Sequence, residues 1–328
     1  MERQLTFSAV EHESAKRKTR RDTFLEQMDK SIPWEALCKV LEPWYFKNKT
    51  GRPAKGLERM LRMYLLQIWF SLSDEGVEDA IYDSLAMQKF MRISELDSEV
   101  PDATTLLKFR RIIENNKLGA KLFKTINSIL EEQGKMMHGG TIVDATIINA
   151  PCSTKNEWGE RDEAMHAVKK GNQWYFGMKA HIGVDAGSGL VHNTVTATSA
   201  NVHDIAEAHH LIREDDEVVY GDAGYRGIEK RDEIERDEHL KGVEWRIAKR
   251  PGKIKEMKQA FHRWCDVKEE YLKAKVRSKV EHAFHIMKCI FGFRKVCYRG
   301  IEKNLNRLFM LFSQVNVLKM ARAGVCLR

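Results

Sequence analysis

Two aspartates and a glutamate stand out in this 328-residue chain by where they fall. Asp144 sits inside the apolar, β-branched run Thr141-Ile142-Val143-Asp144-Ala145-Thr146-Ile147-Ile148. Aspartate is depleted in strands and costly to bury without a partner, so it reads either as a hydrogen-bonded core residue or as a functional acid. Asp222 follows a strand-like stretch at residues 217–221, in Tyr220-Gly221-Asp222-Ala223-Gly224-Tyr225-Arg226-Gly227. The flanking glycines permit a sharp turn, and an acid at the carboxyl end of a sheet strand faces the usual ligand crevice; a plain turn aspartate fits the same place. Glu281 lies on a helical stretch, with Arg277 four residues before it and Lys288 seven after. At about 100° per residue these three share one helical face. Three carboxylates from two strands and a helix suit hard cations such as Mg²⁺ or Mn²⁺. Two such ions can clamp the attacking and leaving oxygens of an in-line phosphoryl displacement.

No rival constellation competes. The chain has no Gly-x-Ser-x-Gly and no P-loop, and His209 and His210, being adjacent, are expected to point apart on a helix. Its six cysteines show no Cys-x-x-Cys pair and read as reduced, mostly buried thiols.

The elements that must hold these acids follow from hydrophobic period. The first 56 residues read as irregular, with a basic run at 16–21 and the linker-like Gly51-Arg52-Pro53-Ala54-Lys55-Gly56. Residues 57–134 have helical period throughout. Leu57, Met60, Leu61, Tyr64, Leu65 and Ile68 form one stripe, and Ser73 starts a second helix with Val77, Ala80, Ile81, Leu85 and Phe90 inward. Pro101-Asp102 opens a third, with Leu106, Leu107, Ile112 and Ile113 inward and Lys108, Arg110 and Arg111 outward. A fourth runs over 118–133. After Gly139-Gly140 the period becomes two, predicting strands at 141–148, 175–184 and 190–198, a helix at 202–212, a strand at 217–221, a charged helix at 229–240, a strand through Val243, Trp245 and Ile247, and helix from Lys268 onward. Three strands able to form a meander, then strands joined by helical crossovers, make a mixed α/β layer compatible with a ribonuclease H-like fold.

Composition excludes other classes. With 43% hydrophobic and 31% charged residues the chain is globular, and the most apolar helical stretch, 60–72, is interrupted by Arg62 and Gln67 and is too short to span a membrane. No apolar leader opens the sequence, so the expected location is cytoplasmic. The net charge of +8 is unevenly placed: residues 249–328 carry 20 basic against 6 acidic side chains, and the rest of the chain is net negative. A basic C-terminal quarter suits a polyphosphate partner, or only solubility.

Taken together, Asp144, Asp222 and Glu281 resemble the acid triad of DDE transposases of the bacterial insertion-sequence-five family. The resemblance extends over Leu5-Thr6-Phe7, Ile32-Pro33-Trp34, Pro101-Asp102-Ala103-Thr104-Thr105 with Phe109-Arg110, Thr141-Ile142-Val143-Asp144-Ala145-Thr146, Gly171-Asn172-Gln173-Trp174, Gly177-Met178-Lys179-Ala180-His181-Ile182-Gly183-Val184-Asp185, Asp222-Ala223-Gly224-Tyr225 and Val280-Glu281-His282. Arg277, Glu281 and Lys288 fit the family's final-helix signature, but Ala274 stands where its tyrosine is expected, and Tyr271 lies one turn earlier.

The resemblance implies a catalytic domain over 139–328, preceded by a helical domain over 57–134 for DNA-end recognition or dimerisation. It implies that Asp144, Asp222 and Glu281 hold two Mg²⁺ ions, for which Mn²⁺ substitutes, and that the partners are double-stranded DNA, as terminal inverted repeats and as target, with a homodimer on DNA. It implies no membrane and no small-molecule cofactor. Strand cleavage at the element end would free a 3′-hydroxyl that attacks target DNA. Arg277, Lys288, Arg294, Lys295, Arg299 and Lys303 are phosphate-contact candidates, with Phe291, Phe293 and Tyr298 either stacking on DNA or packing in the core. Lys108, Arg110 and Arg111 are candidates for a major-groove helix. A nuclease with the same core but no strand transfer, or a repressor, would share much of this pattern.

Overall fold

The computed structural model describes residues 18–46, 54–93, 100–157, 159–259 and 264–327. The expected Leu5-Thr6-Phe7 start and the Gly51-Arg52-Pro53 part of the linker lie outside them. The chain divides into two units, residues 1–126 with 316–328, and residues 127–315. The division departs from a boundary near 134 and assigns the last residues to the first unit.

The first unit is helical. Helices α1 (Arg20–Ser31) and α2 (Trp34–Tyr45) occupy part of the stretch read as irregular. A capping box explains the first: Thr19 and Asp22 each bond the other's backbone N–H. Then come α3 (Leu57–Phe70), α4 (Asp74–Asp83), α5 (Leu85–Met91) and α6 (Ala103–Asn115), capped by Ser73, Ser84 and Asp102 from α4 onward. Helix α7 (Leu118–Glu132) follows, and the division falls within it, after Ile126. The two polar breaks in α3 are core residues. Arg62 is 1% exposed, ion-paired to Asp29 and Glu58 at 2.7 Å each, and its guanidinium lies 3.9 Å from the Trp34 ring centroid. At the other end of the chain, Leu327 N–H donates to the Ser31 carbonyl at 3.3 Å. Among the described residues no helix is long and apolar enough to cross a membrane.

The second unit is built on a sheet of β1 (Thr141–Asn149), β2 (His166–Lys170), β3 (Gln173–Asp185), β4 (Val191–Ser199), β5 (Val218–Gly221) and β6 (Glu244–Ile247). The path runs β2-β3-β1-β5-β6, with β4 on β3. β1 pairs antiparallel with β3 and parallel with β5, and β5 pairs parallel with β6. This is the mixed sheet of a ribonuclease H-like fold. Strand β2 escapes sequence reading because nearly all its side chains are exposed, so no apolar alternation marks it. Gly140 sets the entry to β1: its φ is +90°, and a Cβ there would run into the Val218 carbonyl.

Between strands the chain is less helical than its sequence suggests. The helix expected at 202–212 is two tight turns, Asp204–Ala206 and Ala208–Leu211. Ala208 and Leu211 are the buried pair there, three residues apart, which is the 3₁₀ repeat. The charged helix at 229–240 is divided into α8 (Asp232–Glu235) and α9 (Glu238–Gly242), because Asp237 caps a fresh turn by accepting from His239 and Leu240 N–H. Helices α10 (Pro251–Gln259), α11 (Trp264–His285) and α12 (Ile301–Arg322) complete the chain, with a π-helical segment, Ile286–Ile290, closing α11. One face of the sheet is covered by Val143, Val219, Leu211, Tyr225, Ile234 and Val243. Among the described residues the six cysteines form no disulfide, but against expectation five are exposed and only Cys38 is half-buried.

Candidate active site

Strand register brings Asp144 and Asp222 together. The last recorded β1–β5 pair is Ile142 with Tyr220, and each aspartate lies two residues further along its chain. Neighbouring strands are about 4.8 Å apart, so the two carboxyl groups sit side by side at the point where pairing ends. Val143 packs into the apolar cluster under the sheet, which turns Asp144 to the opposite face with Ile142 and Thr146. Helix α11 packs against β1 and β5. Lys288, in the π segment, donates to Thr146 Oγ1 at 2.6 Å and to the Ile147 carbonyl at 2.7 Å, so the end of this helix covers the Asp144 side.

Each aspartate uses one oxygen locally. Asp144 Oδ1 accepts from Ala145 N–H at 2.8 Å, and Asp222 Oδ1 accepts from Gly224 N–H at 2.7 Å. Burial pushes the Asp144 carboxyl up to about 6, aided by the Asp222 and Asp204 charges and opposed by the Ala145 hydrogen bond and Arg277. Two neighbouring carboxylates, each with its second oxygen unclaimed among the described residues, form a hard-donor set. One of them resists ionisation until a positive charge arrives. That chemistry fits a divalent cation.

The third acid stands apart. Glu281 is exposed on α11, one turn beyond the half-buried Arg277. Among the described residues no three His, Cys, Asp or Glu side chains converge closely enough to hold one ion. Lys288 also differs from its expected place. The π segment alters the helical repeat between Glu281 and Lys288, and the ammonium is engaged by β1, with burial lowering its pKa.

Sequence reasoning passed over Asp204, Tyr225 and Lys179. Asp204 lies in the loop after β4 and is paired with Lys179 Nζ at 2.8 Å. Tyr225 is 1% exposed and its hydroxyl finds no hydrogen-bond partner among the described residues. Burial raises its pKa well above the usual value, and the charges of Asp144, Asp204 and Asp222 add to the rise. Nothing in spacing separates Asp204 from any solvated loop acid, whereas Tyr225 lies within the quoted Asp222-Ala223-Gly224-Tyr225.

The basic candidates divide into exposed and internal. Arg294, Lys295, Arg299 and Lys303 are exposed; Arg294 is steadied by the Lys288 carbonyl at 3.1 Å and Arg299 by the Arg161 carbonyl at 3.1 Å. Phe291 and Phe293 are each 1% exposed, so they pack in the core and do not stack on a ligand. Tyr298 is half-buried and accepts from Arg307 at 2.9 Å. On α6, Lys108 and Arg111 are exposed as expected, but Arg110 is turned inward. Its guanidinium meets Asp74, Gln67 and Glu114, which removes it from any groove-facing surface. His209 and His210 do not point apart: the tight turn stacks their rings at 3.8 Å.

Comparison with known families gives two matches. Residues 135–317 match the family described as a transposase DDE domain, and residues 13–111 match one described as a transposase domain (DUF772). No solved structure matches the chain.

Proposed function

Since the chain belongs to the transposase DDE domain family and is a DNA transposase, we propose that it mobilises an element of the insertion-sequence-five type by binding the element's terminal inverted repeats, cutting there and joining the ends to target DNA. The observation that supports the chemistry is the register of Asp144 beside Asp222 at the carboxyl end of the β1–β5 pair.

The family generally uses divalent metal ions. Asp144 and Asp222 would hold Mg²⁺, or Mn²⁺ in its place, and two such ions, when bound, neutralise charge on the scissile phosphate and acidify a water molecule. Glu281, on a long and exposed side chain, closes on the pair when DNA is present. Arg277, already close enough to act on the Asp144 charge, holds a phosphate oxygen beside them. In the first step a water oxygen bonds to phosphorus, the bond to the 3′-oxygen breaks and that oxygen leaves as a 3′-hydroxyl. In the second that hydroxyl attacks a target phosphodiester and displaces the target's own 3′-oxygen. The exposed Lys108 and Arg111 on α6 serve end recognition, and two copies act on two ends.

The test is nicking and joining of DNA carrying the element's inverted repeats, with Mg²⁺ supplied. The parent chain yields joined products and Asp144→Asn yields no cleavage. An Asp144→Asn chain that cut as fast as the parent would overturn the assignment. Cleavage without joining, given precut ends and a target plasmid, would leave a nuclease in its place.

A further inference from the structure

The outer face of α11 carries a feature that the acid site does not use. Trp264 and Tyr271 are among the most exposed large side chains of the described residues, at 66% and 69%. They are seven residues apart, two helical turns or about 10 Å, and so lie on one side of the helix. Lys268 and Lys275, at four-residue steps from them, fall on that same side and are also exposed. Lys268 Nζ is 5.1 Å from the Trp264 ring centroid. Neither lysine makes an ion pair recorded among the described residues. Arg277 and Glu281 follow on the same helix, about 9 and about 15 Å beyond Tyr271 along its axis and turned away from the stripe.

Exposed aromatic rings need a reason, because water contact with two large apolar faces is unfavourable. A self-association surface accounts for the rings, but not for two lysines interleaved with them. Alternating rings and ammonium groups match a single nucleic-acid strand, whose bases offer π faces to the rings and whose phosphates meet the lysines. An intact duplex hides its base faces, so it would use the lysines alone. We propose that Trp264, Lys268, Tyr271 and Lys275 form a track for an unpaired DNA strand along the outer face of α11, turned away from the face that packs on β1 and β5. The track rests on the transposase reading for its biological use, since strand cleavage and end opening supply unpaired DNA.

The experiment measures binding by the full chain, without divalent cation, to an oligothymidylate of about 15 nucleotides and to a duplex of the same length. Trp264→Ala with Tyr271→Ala is expected to weaken single-strand binding by about tenfold or more, because each ring removed takes away one stacking platform for a base. Duplex binding should change little, and Trp264→Phe with Tyr271→Phe should restore the single-strand affinity. Unchanged single-strand binding, an equal loss on duplex, or a phenylalanine pair as weak as the alanine pair would each overturn the track. So would sedimentation showing that the alanine pair breaks a dimer while DNA affinity stays as in the parent. Failure of the transposase reading is separable: it appears as absent cleavage by the parent, and Asp144→Asn is expected to keep full single-strand affinity.

Discussion

Asp144 and Asp222 occupy equivalent positions on neighbouring parallel strands, each two residues beyond the Ile142–Tyr220 pair. The relationship places like charges side by side in a partly buried setting, and no ammonium or guanidinium forms an ion pair with either among the described residues. Lys179 neutralises Asp204 instead. The acid pair is therefore electrostatically unsatisfied by the protein's own side chains among the described residues. Function is placed where folding gains least.

That imbalance has a stability signature. In the folded chain Asp144 titrates at about 6 against an ordinary 3.8, so between these pH values the native state keeps a proton that the unfolded chain has lost. Stability of the metal-free protein falls as pH rises through this window and stays lower above it. Asp144→Asn removes the effect, and near pH 7 it should be more stable than the parent by roughly 3 kcal/mol. Urea denaturation in chelator at pH 4.5 and 7 measures it; a variant no more stable at pH 7 than at pH 4.5, relative to the parent, counts against the buried-acid account.

The inward position of Arg110 separates it from its neighbours on α6. It is 8% exposed and held by Asp74 and Glu114, and removing one partner from such a pair leaves a buried charge unmatched. Arg110→Ala should cost about 3 kcal/mol or more, read as a lowered melting temperature. Lys108→Ala and Arg111→Ala should alter stability by less than about 0.5 kcal/mol while weakening DNA binding. Equal stability losses at all three positions would show that the helix face is misassigned.

The contrast between Arg110 and Lys108 also marks how far the sequence could be read. Asp144 was visible because an acid interrupts a β-branched run, and Asp222 because it ends a strand between glycines. Both signals are local, and the fold turned them into a pair through register. Helical period gave α3, α4 and α6, but it cannot tell an arginine that snorkels to water from one folded back onto Asp74. Lys288 was misplaced because a π segment breaks the 100° step on which face assignments depend. Asp204 was invisible because its place depends on the loop after β4 returning to β3, which no short-range pattern encodes.

Tyr225 offers a different test. A buried hydroxyl without a partner among the described residues contributes nothing favourable to folding and has lost its hydration. Tyr225→Phe should therefore match or exceed the parent in thermal stability, unlike most substitutions of a 1% exposed residue. Calorimetry on the metal-free chain decides it. A loss of more than about 1 kcal/mol would mean that the hydroxyl is bonded in solution.

Acid should weaken the second unit through two buried histidines. His192 Nε2 is 2.8 Å from Thr141 Oγ1, whose own proton goes to Asp216, so the imidazole must be the donor there. Its Nδ1 is then bare and buried without a partner among the described residues, and a proton added to it would find no acceptor among them. Burial first, and then the Arg213 charge, bring its pKa down to about 3, and burial brings His181 down to about 4, from an ordinary 6.5. Both are neutral in the native state. As pH falls below 6.5 the unfolded chain takes up protons that the native chain refuses, so stability present at neutral pH is lost toward the folded pKa values, at about 1.4 kcal/mol per pH unit for each histidine. Asp144 acts in the opposite direction below pH 6 and offsets part of that loss. His192→Gln, whose amide can still donate to Thr141, should make the fall in urea midpoint between pH 6 and 4.5 shallower by one histidine's share. An unchanged slope would mean that His192 titrates normally.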